Sequence, residues 1–211
     1  MANPSIQAVN LTKRQSDFRL AGVLYAISGT VMFLFTSLSE TLYPNYGVHT
    51  QAISDLAATN ASTSMIEEPA GFVWGLCWLL GSYFLLRNTR RRGIMVVYLL
   101  PGIGVLLAIL SPENVNIAIH SVGAVVAFVP GAIAVILSYR LIQTELKYLA
   151  LILGVTSLVG VILEFGAYYS YLVQQVLGPG GTERIIVYPI LVWLMIFGGY
   201  LSARAKEGGT K

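Results

Sequence analysis

Three titratable side chains from separate polar segments could together perform acid–base chemistry. Asp55 lies in YGVHTQAISDLAATNAS, residues 46–62, the most polar long segment away from the chain ends, and Glu113 precedes His120 by seven residues. That spacing puts Glu113 and His120 on one side of a helix. A histidine oriented by a carboxylate is a common general acid or base. We therefore predict Asp55, Glu113 and His120 as catalytic candidates, and Ser54 as a nucleophile candidate that no base accompanies.

A second set of polar residues could bind a ligand. Arg184 can pair with Asp55, with Glu113 or with an anionic ligand. Glu164 is a formal charge well inside an apolar run, where a carboxylate needs protonation, a partner or water. The predicted ligand-binding residues are Gln51, Ser54, Glu183, Arg184 and Glu164.

Each of these side chains also has a purely structural interpretation. His120 could be a hydrogen-bonded core residue, Asp55 the cap of a short helix and Arg184 an anchor at the end of a span. The sequence contains no HExxH, GxSxG or P-loop pattern. Two histidines and one cysteine, Cys77, cannot supply a histidine-rich metal site or an internal disulfide. We predict no metal and no cofactor.

The composition is that of a membrane protein. The chain has 211 residues, of which 55% are hydrophobic and 11% charged, and its mean hydropathy is +0.71. Soluble domains have about 25% charged residues. Apolar runs of about 20 residues suit helices that cross a bilayer, because lipid offers no partner to an unpaired backbone group. The sequence therefore predicts an all-α membrane protein, a bundle of six transmembrane helices.

Six apolar runs define the predicted domain organisation. A transmembrane domain over residues 20–203 lies between two polar tails, residues 1–19 and 204–211, both predicted to be cytoplasmic. The first tail lacks the apolar core and cleavage site of a signal peptide. The predicted spans are residues 20–39, 69–86, 93–112, 117–139, 148–172 and 185–203.

The basic residues predict the orientation. Twelve of the thirteen Lys and Arg residues fall on the side of the two termini, and only Arg184 falls opposite. By the positive-inside rule, both termini are cytoplasmic in a multi-pass protein of the cell membrane. The basic residues are scattered at span ends, including the run 87–92, and form no patch suited to nucleic acid. The partners we expect are membrane lipids and a membrane-protein partner subunit.

The first outer loop, about 30 residues long, is predicted to hold structure of its own. Gln51, Ser54 and Asp55 share one helix face at i, i+3, i+4 spacing, while apolar residues lie on another. This pattern predicts a short amphipathic helix at the outer surface, covering the end of the bundle. Trp74 and tyrosines near span ends predict an interface belt. The glycine-rich segment 178–184 predicts a turn before the last span.

The motifs, taken in order, resemble the six-span membrane proteins of domain-of-unknown-function family 998. They are Ile53-Ser54-Asp55-Leu56, Pro69, Pro112-Glu113…His120 and Glu183-Arg184…Trp193, and the resemblance covers residues 20–203. Ala57 and Ser111 depart from the family pattern, which has Gly and Phe there. A more distant likeness is to the DRAM and Frag-type family. The resemblance implies that these polar positions share one site in the outer half of the bundle.

Two functions are consistent with an outer polar cluster. In the first, the cluster is a hydrogen-bonded network that closes the bundle, binds a lipid or docks a partner subunit. In the second, the protein is an intramembrane enzyme acting on a lipid or lipid-linked substrate from the outer face. His120 would then be the acid or base, Asp55 or Glu113 would orient it, and Arg184 would bind a phosphate or oxyanion. Transport is less favoured, because no span is broken at its middle.

Overall fold

The computed structural model describes residues 4–87, 92–167 and 170–207, and within these ranges the chain is helical and has no β-strand. This confirms the all-α prediction. Two 3-10 turns, Ser54–Ala57 and Ser138–Arg140, accompany the α-helices. The helices are α1 (Pro4–Leu42), α2 (Ser64–Arg87), α3 (Arg92–Ile109), α4 (Ile117–Leu137), α5 (Leu146–Ala167), α6 (Tyr171–Val176) and α7 (Gly178–Glu207).

Most of the long helices match the length and apolarity of membrane spans. The apolar part of α3, Val96–Ile109, is shorter than the apolar parts of the other long helices. The presence of six spans therefore stays a prediction. Among the described residues, five segments are long and apolar enough to cross a membrane: Thr12–Leu42, Ser64–Arg87, Ile117–Arg140, Leu146–Gly166 and Gly178–Ala205.

The helix ends differ from the ends of the apolar runs. α1 begins at Pro4, inside the predicted tail, and α7 begins at Gly178, so the predicted turn 178–184 is instead the first part of a helix. Pro179 fits there because the first N–H groups of a helix have no intrahelical partner. The run 148–172 divides into α5 and α6, with the non-helical Ser170 between them as the N-cap of α6. Parts of the basic run 87–92, of the predicted span 148–172 and of both predicted tails lie outside the described ranges: residues 88–91, 168–169, 1–3 and 208–211.

The long helices form a closed ring that follows the chain. Each of α1 to α5 packs against the next, and α7 closes the ring between α5 and α1. Trp78, Trp193 and Tyr25 fill its middle and are at most 2% exposed. The loops after α1, α3 and α5 meet at one end, called the outer end below, where His49 Nε2 lies 3.0 Å from the Gln175 carbonyl oxygen. The ring therefore has an up-down topology with one loop-rich end.

Glycines bring α3 and α4 into backbone contact. A Cβ atom at Gly104 would lie 2.3 Å from the Ala127 nitrogen, and one at Gly123 would lie 2.6 Å from the Ala108 nitrogen. Real Cβ atoms do not approach backbone so closely, so only glycine permits this packing. The contact holds the last turns of α3 beside the first turns of α4, which carry His120.

Candidate functional site

Arg184 is the centre of a polar cluster that joins α1, α7 and the first outer loop. The residue is only 8% exposed. Its Nη2 donates to Glu40 Oε1 at 2.6 Å and to the Tyr46 hydroxyl at 2.7 Å, and its Nε donates to the same glutamate oxygen at 3.1 Å. The Tyr188 hydroxyl also donates to Glu40 Oε1, at 3.0 Å. One partly buried carboxylate therefore accepts hydrogen bonds from two residues of α7.

The partner of Arg184 differs from the sequence prediction. Asp55 and Glu113 were the predicted carboxylates, whereas the structure pairs Arg184 with Glu40. The two are 144 positions apart, and no sequence pattern links them. Nη1 donates to the Gly180 carbonyl oxygen at 2.7 Å, so all three guanidinium nitrogens have acceptors. An anionic ligand would have to displace Glu40.

Tyr46 fastens the outer loop to this cluster. Its hydroxyl donates to the Ala52 carbonyl oxygen at 2.9 Å and to that of Gln51 at 3.2 Å, while it accepts from Arg184. Burial raises the pKa of Tyr46 to about 12, so the hydroxyl keeps its proton at neutral pH. The Gln51 side chain accepts from the Gly47 N–H at 3.0 Å and so closes the preceding turn.

The predicted amphipathic helix is a single 3-10 turn, Ser54–Ala57, that covers the outer end of the ring. Ile53 and Leu56 are 4% and 0% exposed, so the apolar side is buried in the protein rather than at a membrane surface. Two glutamates hold the turn: the Ser54 hydroxyl donates to Glu113 Oε2 at 2.8 Å, and the Ile53 N–H donates to Glu183. We call this turn, with residues 46–53, the outer cap.

Asp55 stabilises the outer cap from within. Its Oδ2 accepts from the Ala52 N–H at 2.8 Å, three residues earlier. This is the geometry by which an acidic side chain satisfies an unpaired N–H at a helix start. This contact supports the structural interpretation of Asp55, in which its side chain caps a short helix.

We expect Asp55→Asn to change the pH dependence of stability. Burial raises the pKa of Asp55, the Ala52 hydrogen bond opposes this, and the Glu113 charge adds to it. A carboxyl group with a raised pKa in the folded state binds its proton more tightly there. It therefore favours folding at low pH, and this contribution is lost as the pH rises above about 4. Asparagine keeps an oxygen for the Ala52 N–H but does not titrate.

Thermal unfolding in detergent over roughly pH 4 to 7 tests this expectation. The midpoint of the wild type should fall more steeply with rising pH than that of Asp55→Asn. Equal slopes would show that the environment of Asp55 does not bear on its protonation. A collapse of Asp55→Asn at every pH would show that the charge itself is needed to hold the outer cap.

His120 bonds to the end of α3 rather than to a carboxylate. Its Nδ1 lies 3.1 Å from the Ala108 carbonyl oxygen and 3.2 Å from that of Ser111. Carbonyl oxygens only accept, so Nδ1 carries the proton, and in the neutral ring Nε2 is left as an acceptor. Within the described residues, no hydrogen bond joins His120 to Asp55 or Glu113. The catalytic role of these three residues stays a prediction.

Glu164 bonds to α7, apart from the Arg184 cluster. The hydroxyl of Thr182, which is 0% exposed, donates to Glu164 Oε2. This contact joins α5 to the first turn of α7 and provides the partner that a carboxyl group inside a span requires.

A cavity of about 60 Å³ lies between the helices, and the outer cap forms part of its wall. Residues of α1, α2, α3, α4 and α7 form the rest. Most of the lining is apolar, with Met32, Val105 and Phe128 among its side chains. Four polar residues also line it: Ser54, Glu67, His120 and Glu183. The cavity therefore brings together four polar side chains from the outer cap, α2, α4 and α7.

Glu67 and Trp74 are buried residues of α2 that line the cavity. Glu67 is 1% exposed, its Oε1 accepts from the Thr36 hydroxyl at 2.6 Å, and the Ser39 hydroxyl is a second donor to the same carboxyl group. Trp74 Nε1, two turns further along α2, has no hydrogen-bond partner among the described residues. The carboxyl group of Glu67 is therefore bonded to α1 rather than left free for the cavity.

Sequence reasoning missed both of these residues. Trp74 was predicted in an interface belt, yet it is 6% exposed in the core. Glu67 lies in the first turn of α2, beside Glu68, in a segment that the sequence predicts as part of the first outer loop. Their i, i+7 spacing on α2 was the available signal, since it puts both on one helix face. In the described ranges, no group of three or more His, Cys, Asp or Glu side chains is arranged to hold a metal ion.

A ring of long apolar helices with the outer cap at one end defines an all-α integral membrane protein. The chain belongs to the family described as protein of unknown function (DUF998), whose model matches residues 26–200. This range runs from α1 to α7 and confirms the family predicted from the motifs. No curated protein and no solved structure matched the chain.

Proposed function

We propose that this is a six-span membrane protein that binds a membrane amphiphile in the cavity below the outer cap. The observation that carries the proposal is the cavity itself: its wall is mainly apolar with a few polar residues, and its volume of about 60 Å³ suits the end of an alkyl chain, whereas a site that encloses a whole ligand has roughly 300 Å³ or more. The outer cap is held by partly buried hydrogen bonds to α7 and to Glu113 in the loop between α3 and α4, and it forms the roof of this site.

Six spans with cytoplasmic termini suit this proposal. α3 has 18 residues, about 27 Å of helix, close to the roughly 30 Å of a bilayer core. In the up-down ring, the end of α2 at Arg87 and the connection after α4, which begins at Ser138–Arg140, lie at the end opposite the outer cap. The positive-inside rule then puts the outer cap and the cavity on the extracytoplasmic side of the cell membrane.

The enzyme alternative has one observation in its favour. His120 and Ser54 line the same cavity, so a bound amphiphile would meet both. However, the Ser54 hydroxyl donates to Glu113 and the His120 Nδ1–H donates to backbone carbonyls. Glu113 is placed as an acceptor for the Ser54 hydroxyl proton, but His120 bonds to neither residue, so the described contacts form no relay of nucleophile, base and orienting group. Binding is therefore the better-supported function. The cavity supports binding of an amphiphile, and it does not bear on docking of a partner subunit.

A cavity-filling substitution tests the proposal. Ala124 lines the cavity from α4, whereas Ala118, one and a half turns earlier on the same helix, is exposed. We expect Ala124→Leu to occupy the space and Ala118→Leu to leave it open. Native mass spectrometry of protein released from its own membrane should show a bound amphiphile in the wild type and in Ala118→Leu. Occupancy in Ala124→Leu should fall by about tenfold or more.

The proposal fails if the wild type carries no amphiphile, or if all three proteins carry the same amount. The unfolding midpoints of the two variants identify a general loss of structure, because Ala118→Leu adds the same side chain to the same helix.

A further inference from the structure

The cavity needs an opening, because its volume of about 60 Å³ suits only the end of an alkyl chain. The rest of a bound amphiphile must pass between two neighbouring helices of the ring. At the outer end, α1 is held against α2 by the hydrogen bond from the Thr36 hydroxyl to Glu67, at 2.6 Å. It is held against α7 by the ion pair of Arg184 with Glu40, also at 2.6 Å. Both sides of α1 are therefore closed at this level.

Three more neighbouring pairs of helices are in close contact in their outer halves. A Cβ atom at Gly71 of α2 would lie 2.8 Å from Ile109 Cδ1 of α3. One at Gly160 of α5 would lie 2.8 Å from the Ile186 nitrogen of α7. α3 and α4 meet through the glycine contact described for the overall fold. The pair that remains is α4 with α5.

α4 and α5 make their close contact in the inner half of the ring. A Cβ atom at Gly154 of α5 would lie 2.9 Å from the Ile136 nitrogen and 3.0 Å from the Ala132 carbonyl oxygen, both of α4. Tyr139 and Tyr148, at the inner ends of the same two helices, pack edge to face with their ring centroids 6.1 Å apart. These contacts identify the faces by which the two helices meet.

Burial along these two faces is lost toward the outer end. On α4, Ala132 is 0% exposed, whereas Val125, two turns nearer the outer end on the same face, is 44% exposed, and Ser121 is exposed as well. On α5, Gly154 is buried, whereas Phe165, three turns nearer the outer end, is 54% exposed. The two helices therefore diverge and leave an opening to the lipid, bounded by Ser121, Val125 and Phe165, which we call the lateral cleft.

The lateral cleft leads to the cavity. His120, Ala124 and Phe128 line the cavity from α4 at intervals of four residues, and all three are only half-buried. They lie beside Val125 and its neighbours on the surface of the helix. The described lining of the cavity includes residues of every other long helix but none of α5, so the side of α5 is where the wall is incomplete.

The polar side chains of the cavity wall are already engaged within the protein. Their contacts are Ser54 with Glu113, Glu67 with Thr36, Glu183 with the Ile53 N–H, and His120 with the Ala108 carbonyl oxygen. An alkyl chain needs none of them. It restores the dispersion contacts that the lining of an empty space lacks. The site is therefore built to select a chain rather than a head group.

We infer that the amphiphile is a bilayer lipid that inserts one acyl chain sideways through the lateral cleft. The chain end lies in the cavity, the rest of the chain lies between α4 and α5, and the head group stays outside the protein at the membrane surface. The inference rests on the proposed function, since it names the class of ligand and its route into the same cavity.

A bulky side chain in the lateral cleft tests the route. Val125→Trp should obstruct the cleft without filling the cavity, because Val125 does not line it. Val155→Trp is the matched control: Val155 is also an exposed valine, 50% exposed, but it lies on α5 at the level of the Gly154 contact, below the cleft. We expect lipid occupancy to fall by about tenfold in Val125→Trp and to stay at the wild-type level in Val155→Trp.

Native mass spectrometry of protein in dioleoylphosphatidylcholine nanodiscs measures this occupancy, at the collision energy that leaves the wild type with its last bound lipid. A second measurement on the wild type needs no variant. In nanodiscs of equal parts phosphatidylcholine and phosphatidylglycerol with the same oleoyl chains, the two lipids should be retained in amounts within about twofold of each other, because the head group is not bound.

The outcomes separate the two proposals. Wild-type occupancy in Val125→Trp, or equal losses in Val125→Trp and Val155→Trp, would overturn the lateral route. A preference of about tenfold or more for one head group would overturn selection by the chain. Each of these results leaves the proposed function standing if Ala124→Leu still loses the lipid. Absence of bound lipid in the wild type, or unchanged occupancy in Ala124→Leu, would overturn the proposed function as well.

Discussion

Arg184→Met is expected to lower the free energy of unfolding by roughly 3–5 kcal/mol. The substitution keeps much of the apolar stem but leaves Glu40, whose side chain is 20% exposed, without its counter-charge. Removing one partner of a buried ion pair costs more than removing both, because the remaining charge stays desolvated. The same change releases Tyr46 and so loosens the outer cap.

Two comparisons make this prediction specific. The double variant Glu40→Gln with Arg184→Met should recover about half of the loss, because it removes the unpaired charge. Arg204→Ala, an exposed arginine of the same helix with one hydrogen bond to a backbone carbonyl, should cost less than about 1 kcal/mol. Chemical unfolding in detergent measures all three. Equal losses for Arg184→Met and Arg204→Ala would show that the buried pair contributes little.

Gly104→Ala is expected to destabilise the protein by about 1–3 kcal/mol and to disturb the cavity. Its Cβ would lie 2.3 Å from the Ala127 nitrogen and 2.6 Å from the Gly123 carbonyl oxygen, both of which are backbone atoms. Backbone cannot rotate away as a side chain can, so α3 and α4 must separate. That movement would draw the Ala108 carbonyl oxygen away from His120, from whose Nδ1–H it accepts a hydrogen bond.

Gly199→Ala is the matched control, because no atom lies within 4 Å of a Cβ at that position of α7. Alanine favours a helix over glycine by about 0.5–1 kcal/mol, so this variant should be neutral or slightly stabilised. Unfolding midpoints of the two variants, measured side by side, give the difference. A Gly104→Ala protein as stable as Gly199→Ala would mean that α3 and α4 are not in backbone contact.

The helical architecture could be predicted from the sequence because it depends on local composition. Runs such as 117–139 are long and apolar, and a run of this kind inside a bilayer must be helical because lipid offers no hydrogen-bond partner to the backbone. The ends of helices were less predictable, since α7 begins at Gly178 in a segment whose glycines and proline also suit a turn. Helix ends depend on what packs around them, which local composition does not encode.

The residues of the outer end could be predicted, but their contacts could not. Ser54, Glu113, Glu183 and Arg184 do converge there, as polar residues at one end of a bundle should. The pairing of Arg184 with Glu40 depends on how α1 packs on α7. The cavity depends on the spacing of five helices, and sequence periodicity carries no information about empty space.

The most direct test of the cavity as a binding site uses Trp74 as the reporter. A bromine atom quenches indole fluorescence on contact, so the measurement is saturable quenching by bromoalkanol and bromoalkylammonium amphiphiles in nanodiscs. We predict that the wild type and Ala118→Leu show saturable quenching of indole fluorescence. Trp74→Phe and Ala124→Leu should lose the saturable part. Quenching that never saturates, or that persists unchanged in Ala124→Leu, would show that the chain meets the protein only from the surrounding lipid and would contradict a site below the outer cap.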